Sequence, residues 1–466
     1  MGKYFGTDGF RGEVGGGLTA DHAFLLGKAL GTLLFRRMKG DETGGGATLK
    51  EHGVMRPSVV IGKDTRRSCY MLEYAVAAGL ASVGADAYML HVCTTPAVSY
   101  TVRSDGFCAG VMISASHNPF TDNGIKVIGE RGEKLDDAMT EELEALMDSA
   151  EGFKCSTGAG VGRIIDHFGG RNRYIGYLIS MAKHSFCDLR IGLDCANGAA
   201  FMIAPAVFRA LGATVVTIGD EPDGLNINRG FGSTNVSALC SLVRERGLDM
   251  GFAFDGDADR CIAVDSEGNE INGDKIAYIL GVGMKKRGEL FGDTVVTTVM
   301  SNAGLYRALD AVGIKSVQTA VGDRFIYEEM KRAGYSLGAE QSGHVRMSKY
   351  SVTGDGILTA IMLTEQVLSE KKSLGKLAVP VTMLPQWTEN IAVRDKSIAD
   401  RESVKDALER IRGELGGRGR ILVRKSGTEP LIRIMAEADT EKECRLYALA
   451  LRRVIEEEMR NEASAL

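Results

Sequence analysis

The sequence predicts an α/β protein: three similar mixed α/β sheet domains plus a smaller C-terminal α+β domain, set around a central cleft. Three observations predict it. Strand-like and helix-like runs alternate over roughly the first 350 residues, as in βαβ units. The strand–helix–strand layout occurs three times, and each time a final strand empties into a polar loop. The last stretch then breaks the alternation. The 466 residues allow about three domains, give or take one.

Each unit can be followed in order. In residues 1–156, a strand at 59–62 leads to a helix at 70–83 and to strands at 87–90 and 109–113. The last of these runs into Ser114-Ala115-Ser116-His117-Asn118-Pro119. In residues 157–265, a strand at 190–194, a helix at 200–211 and a strand at 214–218 precede the apolar run 250–254, which opens into Asp255-Gly256-Asp257-Ala258-Asp259-Arg260. In residues 266–372, a strand at 295–299, helices at 304–312 and 325–333 and a strand at 336–339 lead to Glu340-Gln341-Ser342-Gly343-His344. Residues 373–466 differ: strands at 420–424 and 431–436 and a helix at 440–458, approached through 379–389 with Pro380 and Pro385. The glycine-rich run 40–46 reads as a flexible surface loop. Ligands of open α/β sheets lie beyond the carboxyl ends of strands. The three loops are therefore expected to face one cleft, with a hinge near 370–390.

The aspartates of the second loop stand at every second position. On an extended chain they share one face. Carboxylates that close repel, and a bound cation resolves the conflict. All-oxygen donors suit a hard ion such as Mg²⁺ rather than zinc. The alternative is an acidic surface turn. Ser116 is expected at an exposed strand exit, because Pro119 bars helical continuation. His117 is not expected to activate it, since adjacent side chains diverge on extended backbone. No G-x-S-x-G elbow surrounds it. A phosphoryl-carrying serine is more consistent than a hydrolytic one, its phosphate oxygens completing a metal shell.

The other loops carry weaker signals. Arg424-Lys425-Ser426-Gly427-Thr428-Glu429-Pro430, with Arg433 in the next strand, offers guanidiniums, hydroxyls and glycine-freed N–H groups as a phosphate cradle. It is otherwise a charged hairpin turn. Glu340, Ser342 and His344 suit sugar hydroxyls, although a lone loop histidine is more often solvated. Arg11, in the loop Gly6-Thr7-Asp8-Gly9-Phe10-Arg11-Gly12, meets either a phosphate or an acidic surface. Lys126, after Asp122-Asn123-Gly124-Ile125, serves as a proton donor if desolvated, and is otherwise an ordinary surface lysine.

A net charge of −5 and no basic stripe disfavour nucleic acid as a partner. No run of about 20 apolar residues suits a membrane span, and the first residues lack an apolar signal core. Nine cysteines without a C-x-x-C pair read as reduced thiols of a cytoplasmic protein. Cys261, beside the aspartates, reads as packing, because a thiol suits Mg²⁺ poorly.

Taken together and in order, the Gly6 to Gly9 loop, Ile113 to Pro119, Asp255 to Arg260, Glu340 to His344 and Arg424 to Pro430 resemble the α-D-phosphohexomutases along essentially the whole chain. The resemblance implies an isomerase, an intramolecular phosphotransferase. It would move phosphate between the 6- and 1-positions of a hexosamine through a phosphoserine and a bisphosphate that turns around in the site. The product would feed UDP-N-acetylglucosamine and cell-wall precursor synthesis. Ser116 matches the phosphoryl carrier. Asp255, Asp257 and Asp259 match Mg²⁺ ligands, with the Ser116 phosphate as a further one. Glu340 and Ser342 match readers of sugar hydroxyls, and Arg424, Ser426, Gly427, Thr428 and Arg433 match the clamp on the idle phosphate. Arg11, Lys126, Arg260 and His344 match residues around the reacting group, with Lys126 or His344 as base. Ser114 matches a neighbouring hydroxyl.

The stretch from Gly224 to Thr234 is similar to a family signature that usually has Cys where Phe231 stands. Gln341 resembles the hexosamine type, whereas glucose- and mannose-phosphate mutases tend to place Met there. Those activities, a metal-dependent sugar phosphatase and a non-catalytic sensor are the alternatives. The implied partner is a small hexosamine phosphate, and a homodimer is compatible.

Overall fold

The computed structural model describes residues 3–6, 9–39, 56–149, 152–425 and 430–465. The glycine-rich run 40–46 falls outside them. Three sheets follow one another. The first contains β1 (Phe10–Glu13), β2 (Ser58–Lys63), β3 (Asp86–Val92), β4 (Ala109–Ile113), β5 (Asp122–Gly129) and β6 (Ile164–Asp166), in the order β1-β5-β4-β2-β3-β6. The second contains β7 (Arg190–Asp194), β8 (Thr214–Ile218), β9 (Met250–Phe254), β10 (Cys261–Asp265) and β11 (Glu270–Ile271), in the order β11-β10-β9-β7-β8. The third contains β12 (Thr294–Thr298), β13 (Lys315–Thr319), β14 (Leu337–Ala339) and β15 (Val345–Met347), in the order β13-β12-β14-β15.

A four-strand pattern recurs in all three. The strands β4-β2-β3, β9-β7-β8 and β14-β12-β13 are parallel, and β5, β10 and β15 add an antiparallel neighbour to each. The serine, aspartate and Glu340 loops each join the third parallel strand to that antiparallel neighbour. The three chemically loaded loops thus occupy one topological position, three times over.

The antiparallel strands were not foreseen. Lys126 was read in a loop, yet it lies within β5. Asp, Asn and Gly are depleted in strands, so Asp122-Asn123-Gly124 disguises the start of that strand. Sheet membership also carries the first two units past the expected boundaries. β6 pairs with β3 beyond residue 156, and β11 pairs with β10 beyond residue 265.

The chain divides into two compact units, Met1–Met300 with Ile314–Val379, and Ser301–Gly313 with Pro380–Leu466. The joint at Val379 falls inside the span 370–390. All three sheets belong to the first unit. The second unit contains β16 (Gln386–Ala392), β17 (Arg420–Lys425) and β18 (Leu431–Glu437), in the antiparallel order β16-β18-β17. Helices Glu402–Leu415 and Glu441–Ala465 close a core that includes Ile411, Ile421, Ile434, Leu451 and Ile455. The helix Ala303–Ala311, assigned by sequence to the third unit, groups here, and the Glu437 carboxylate accepts the Ala303 N–H at 3.0 Å.

In the first unit, helices Ala20–Lys39 and Arg67–Ser82 cross beside the first sheet. Leu26, Leu30, Leu72, Val76 and Leu80 are buried there. The crossing is made close by two glycines. A Cβ at Gly27 would lie 2.3 Å from the Val76 carbonyl oxygen, and one at Gly79 would lie 2.2 Å from that of Phe24. Backbone cannot yield as a flexible side chain does. Gly79→Ala should therefore cost about 1–3 kcal/mol. Gly176→Ala, on a helix with nothing among the described residues within 4 Å of the added carbon, should be neutral or stabilise by about 0.5–1 kcal/mol. Urea midpoints of the two variants check the contrast.

Candidate active site

Ser116 has φ +52°, a left-handed conformation that a residue with a Cβ seldom adopts. The surrounding structure imposes it. The Ser116 N–H donates to Ser114 Oγ at 2.9 Å, and the Ser114 hydroxyl donates to Asp64 Oδ2 at 2.6 Å. Asp64 also accepts from the Arg66 backbone N–H and Nε, both at 2.9 Å. Arg66 is fully buried. Its two terminal nitrogens reach four carbonyl oxygens of the loop: Ser116 and Asn118 at 2.9 Å, Asp122 at 3.1 Å, and Pro119. The buried Asp64–Arg66 pair thus braces the serine loop from β2.

Two expectations for the loop fail. Ser116 was expected to be exposed, but it is 1 % exposed, because the aspartate loop covers it. Its hydroxyl donates to Asp255 Oδ2 at 2.5 Å. His117 was expected to diverge, yet its Nδ1 lies 3.3 Å from Ser116 Oγ. Alternation of side chains assumes extended backbone, and Ser116 is not extended. Burial, reinforced by Arg260 and Arg11, lowers the His117 pKa to about 4, so the ring is neutral near pH 7.

The three aspartates converge, but by a different route from the one expected. The strand ends at Phe254 and the chain turns: the Ala258 N–H donates to the Asp255 carbonyl at 3.0 Å, and Ala258 has φ +56°. A tight turn, rather than strand alternation, gathers the carboxylates. Nor is it a surface turn, since Asp255, Asp257 and Asp259 are all buried, with one oxygen of each within 4.8 Å of the others. Burial, then Asp259 and Asp257, pushes Asp255 well above the usual carboxylate range. Burial also opposes ionisation of Asp259, but Lys126 and then His344 outweigh it and hold that group well below. Asp257 Oδ1 and Asp259 Oδ1 are buried without a hydrogen-bond partner among the described residues. Converging, desolvated, unsatisfied oxygens fit a hard divalent cation.

The flanking groups assemble around this trio. Lys126 Nζ donates to Asp257 Oδ2 at 2.8 Å and lies 3.7 Å from Asp259 Oδ2. His344 Nδ1 faces that same Asp259 oxygen at 3.7 Å, and its Nε2 faces Asp323 Oδ2 at 3.7 Å. The ring is buried, not solvated. Burial lowers its pKa, but Asp259 more than compensates, and the net shift is upward. The Arg260 N–H donates to Asp255 Oδ1 at 3.2 Å. Arg260 bridges His344 in a short antiparallel contact, and the Cys261 N–H donates to the Gly343 carbonyl at 3.0 Å. Burial raises the Cys261 thiol, as its packing role requires. Arg11 sits on β1 opposite Gly124, two residues before Lys126. Glu340 is half-buried, its pKa raised by burial, and Ser342 is exposed. The first unit therefore brings Ser116, the three aspartates, Lys126, Arg260 and His344 together.

In the second unit, Arg424 on β17 stands directly opposite Arg433 on β18. Burial, then Arg433, lowers the Arg424 pKa. Facing like charges are destabilising unless an anion joins them. Ser426, Gly427 and Thr428 lie outside the described residues. Sequence reasoning missed Asp64, Arg66, Thr95, Asn228 and Asp323. Asp64 and Arg66 left one signal, charged residues directly after an apolar strand. Thr95, whose hydroxyl donates to Asp257 Oδ2 at 2.5 Å, left none.

A fold of three repeated sheets that surrounds a buried hydroxyl with three carboxylates defines a class, and profile comparison identifies it. The chain matches the phosphoglucomutase/phosphomannomutase alpha/beta/alpha domains I, II and III at residues 2–153, 172–268 and 272–382, and the C-terminal domain at 389–454; it belongs to that family. Within it, the chain is 52 % identical over 449 residues to the phosphoglucosamine mutase of Lachnospira eligens, covering 96 % of this chain and 97 % of that one. It is 48 % identical over 462 residues to the phosphoglucosamine mutase of Geobacillus kaustophilus, covering 98 % and 99 %. Among solved structures, a phosphoglucomutase/phosphomannomutase family protein from Burkholderia thailandensis superposes with a TM-score of 0.78 at 21 % identity, covering 97 % and 96 %. The Aspergillus fumigatus N-acetylphosphoglucosamine mutase, solved with GlcNAc-6P and magnesium, gives 0.62 at 18 %, covering 82 % and 94 %.

Calorimetric titration with Mg²⁺ checks the carboxylate centre. Asp257→Asn should weaken binding by about tenfold or more, as loss of a charged ligand predicts, while the circular dichroism spectrum stays that of the wild type. An unchanged titration would remove Asp257 from the metal site.

Proposed function

We propose that the protein interconverts glucosamine 6-phosphate and glucosamine 1-phosphate through phosphorylated Ser116 and an enzyme-bound bisphosphate. The observation that carries this reading is the Ser116 hydroxyl seated on Asp255 within the carboxylate trio. The substrate follows from relatives 46–52 % identical along nearly the whole chain, all of them phosphoglucosamine mutases. The activity would supply UDP-N-acetylglucosamine and cell-wall precursor synthesis in the cytoplasm. The proposed division is four domains, one for each family domain, with the first carried past residue 156 to include β6 and the second past residue 265 to include β11.

In the first half-reaction the Oγ–P bond of phosphorylated Ser116 breaks as an O–P bond forms at the free sugar hydroxyl. The proton of that hydroxyl passes by way of Lys126 or His344, both of which face Asp259 Oδ2, to the departing Ser116 Oγ. The bisphosphate then turns around. Its other phosphate returns to Ser116, and the proton goes back to the newly freed sugar oxygen. Asp255, Asp257 and Asp259 would hold Mg²⁺, with a phosphate oxygen on Ser116 completing the shell. Bound there, Mg²⁺ supplies charge neutralisation for the transferring group. Arg11 and Arg260 orient that group. Glu340 and Ser342 read the sugar hydroxyls, and Arg424, Ser426, Gly427, Thr428 and Arg433 grip the idle phosphate. Little covalent chemistry is required beyond holding groups in line, and such positioning contributes about 7–11 kcal/mol in favourable cases.

Ser116→Ala should lose retained phosphate, read by intact mass, and turnover by on the order of 10⁴-fold or more, the scale of removing a nucleophile. Glucosamine 6-phosphate should be turned over faster than glucose 6-phosphate or mannose 6-phosphate, with Mg²⁺ and a bisphosphate primer present. Equal rates would favour a broader hexose-phosphate mutase. Free phosphate released as fast as product forms would favour a phosphatase.

A further inference from the structure

The segment from Gly224 to Thr234 has no part in the chemistry above, yet it meets the serine loop at its most strained point. Asn228 is itself left-handed, with φ +60°, and its backbone N–H donates to the Ala196 carbonyl at 2.8 Å. That anchor aims the side chain across the seam between the first two sheets. The two hydrogens of its amide nitrogen are both used: Nδ2 lies 2.9 Å from the Ser116 carbonyl oxygen and 3.0 Å from that of Asn118. Arg66 Nη2 reaches the same two carbonyls from the other side, each at 2.9 Å. The Ser116 carbonyl oxygen therefore accepts two charge-assisted or amide donors, one from each sheet. The aspartate loop closes the third side. A Cβ on Gly256 would stand 2.5 Å from that oxygen, 2.9 Å from Ile227 Cδ1 and 3.2 Å from Asn228 Nδ2.

We propose that Asn228 is a positioning residue: its amide, paired with Arg66, clamps the Ser116 and Asn118 carbonyls and so sets the left-handed backbone that aims the Ser116 hydroxyl at the carboxylate trio. The proposal rests on Ser116 as the phosphoryl carrier. Its physical basis is that a peptide plane held at its carbonyl by two donors cannot rotate without losing both bonds. Rotation of that plane would carry the adjoining side chain out of line. Both carbonyls are already engaged by Arg66 and Asn228, so remote fixation of this kind acts on the chemical step rather than on substrate binding.

Asn228→Gly tests it, because glycine adopts φ +60° freely and the change removes the side chain that carries the amide. Turnover of glucosamine 6-phosphate, KM, phosphate on Ser116 by intact mass and the thermal midpoint are measured with Mg²⁺ and bisphosphate primer. Turnover per phosphorylated enzyme should fall about 10²-fold, the cost of about 1 Å of misplacement. KM should stay within about twofold. More phosphoserine should be lost to water per product formed. Turnover per phosphorylated enzyme within about twofold of the wild type, or a loss that merely tracks the thermal midpoint, would overturn the proposal. Should the glycine variant not accumulate, Asn228→Asp reads the same quantities. It tolerates the left-handed backbone, but sets a carboxylate against two carbonyl oxygens, so its turnover should be lower still. Failure of the phosphoserine reading would look different: wild-type protein without phosphate on Ser116, or full turnover by Ser116→Ala.

Discussion

Everything in the first unit turns on one contact, the Ser116 hydroxyl against the Asp255 carboxylate. The two groups come from different sheets, and both are buried. A carboxylate moved out of water needs compensation, and a hydroxyl alone is too little. The compensation is collective. Lys126, Arg260, His344 and the Thr95 hydroxyl are all directed at the trio, and two carboxylate oxygens have no hydrogen-bond partner among the described residues. A site built of fixed dipoles and charges in a dry interior stabilises developing charge more than water does, because nothing has to reorient during the reaction.

The repeated topology explains how three loops reach one place. In each sheet the loop that carries chemistry turns from the third parallel strand into an antiparallel neighbour. Such a turn is short and anchored on both sides by ladder hydrogen bonds. It offers precision that a long crossover loop lacks. The aspartate and Glu340 loops are stitched further, by the Arg260–His344 bridge and the Cys261–Gly343 hydrogen bond. Two of the three turns are thereby held to each other through backbone. This suits an enzyme whose work is alignment.

Much of this was legible in the sequence, and the failures have a common cause. The strands 109–113, 190–194, 214–218 and 250–254 were placed correctly because their apolar runs end in abrupt polar turns. Ser116, the three aspartates and His344 were singled out because chemistry-bearing side chains cluster at strand exits, and the structure brings them together. What could not be read was backbone conformation inside the loops. Left-handed Ser116 and Ala258 put the His117 ring beside the hydroxyl and made the aspartates converge through a turn. Neither residue type advertises such a conformation. Contacts between distant segments were equally silent: Arg66 and Thr95 act through partners 50 and 162 positions away. The repeat concealed its antiparallel strands because β5 opens with strand-averse residues.

The aspartate loop shows why the residues between functional positions are also constrained. In Asp255-Gly256-Asp257-Ala258-Asp259 the odd positions carry the charge and the even ones carry the fit. Gly256 is small because the Ser116 carbonyl occupies the space a Cβ would need. Its lack of a side chain serves the serine loop rather than its own turn. Ala258 is left-handed, and its carbonyl accepts the Gly356 N–H at 3.0 Å at the start of the helix Gly356–Glu370. A Cβ on Gly356 would in turn lie 2.3 Å from the Arg260 carbonyl oxygen. A bulkier residue at either even position would leave every carboxylate in the sequence and still move the trio off the serine. The pentapeptide is therefore specified twice, once by the ion its carboxylates would share and once by the two backbones that press against it.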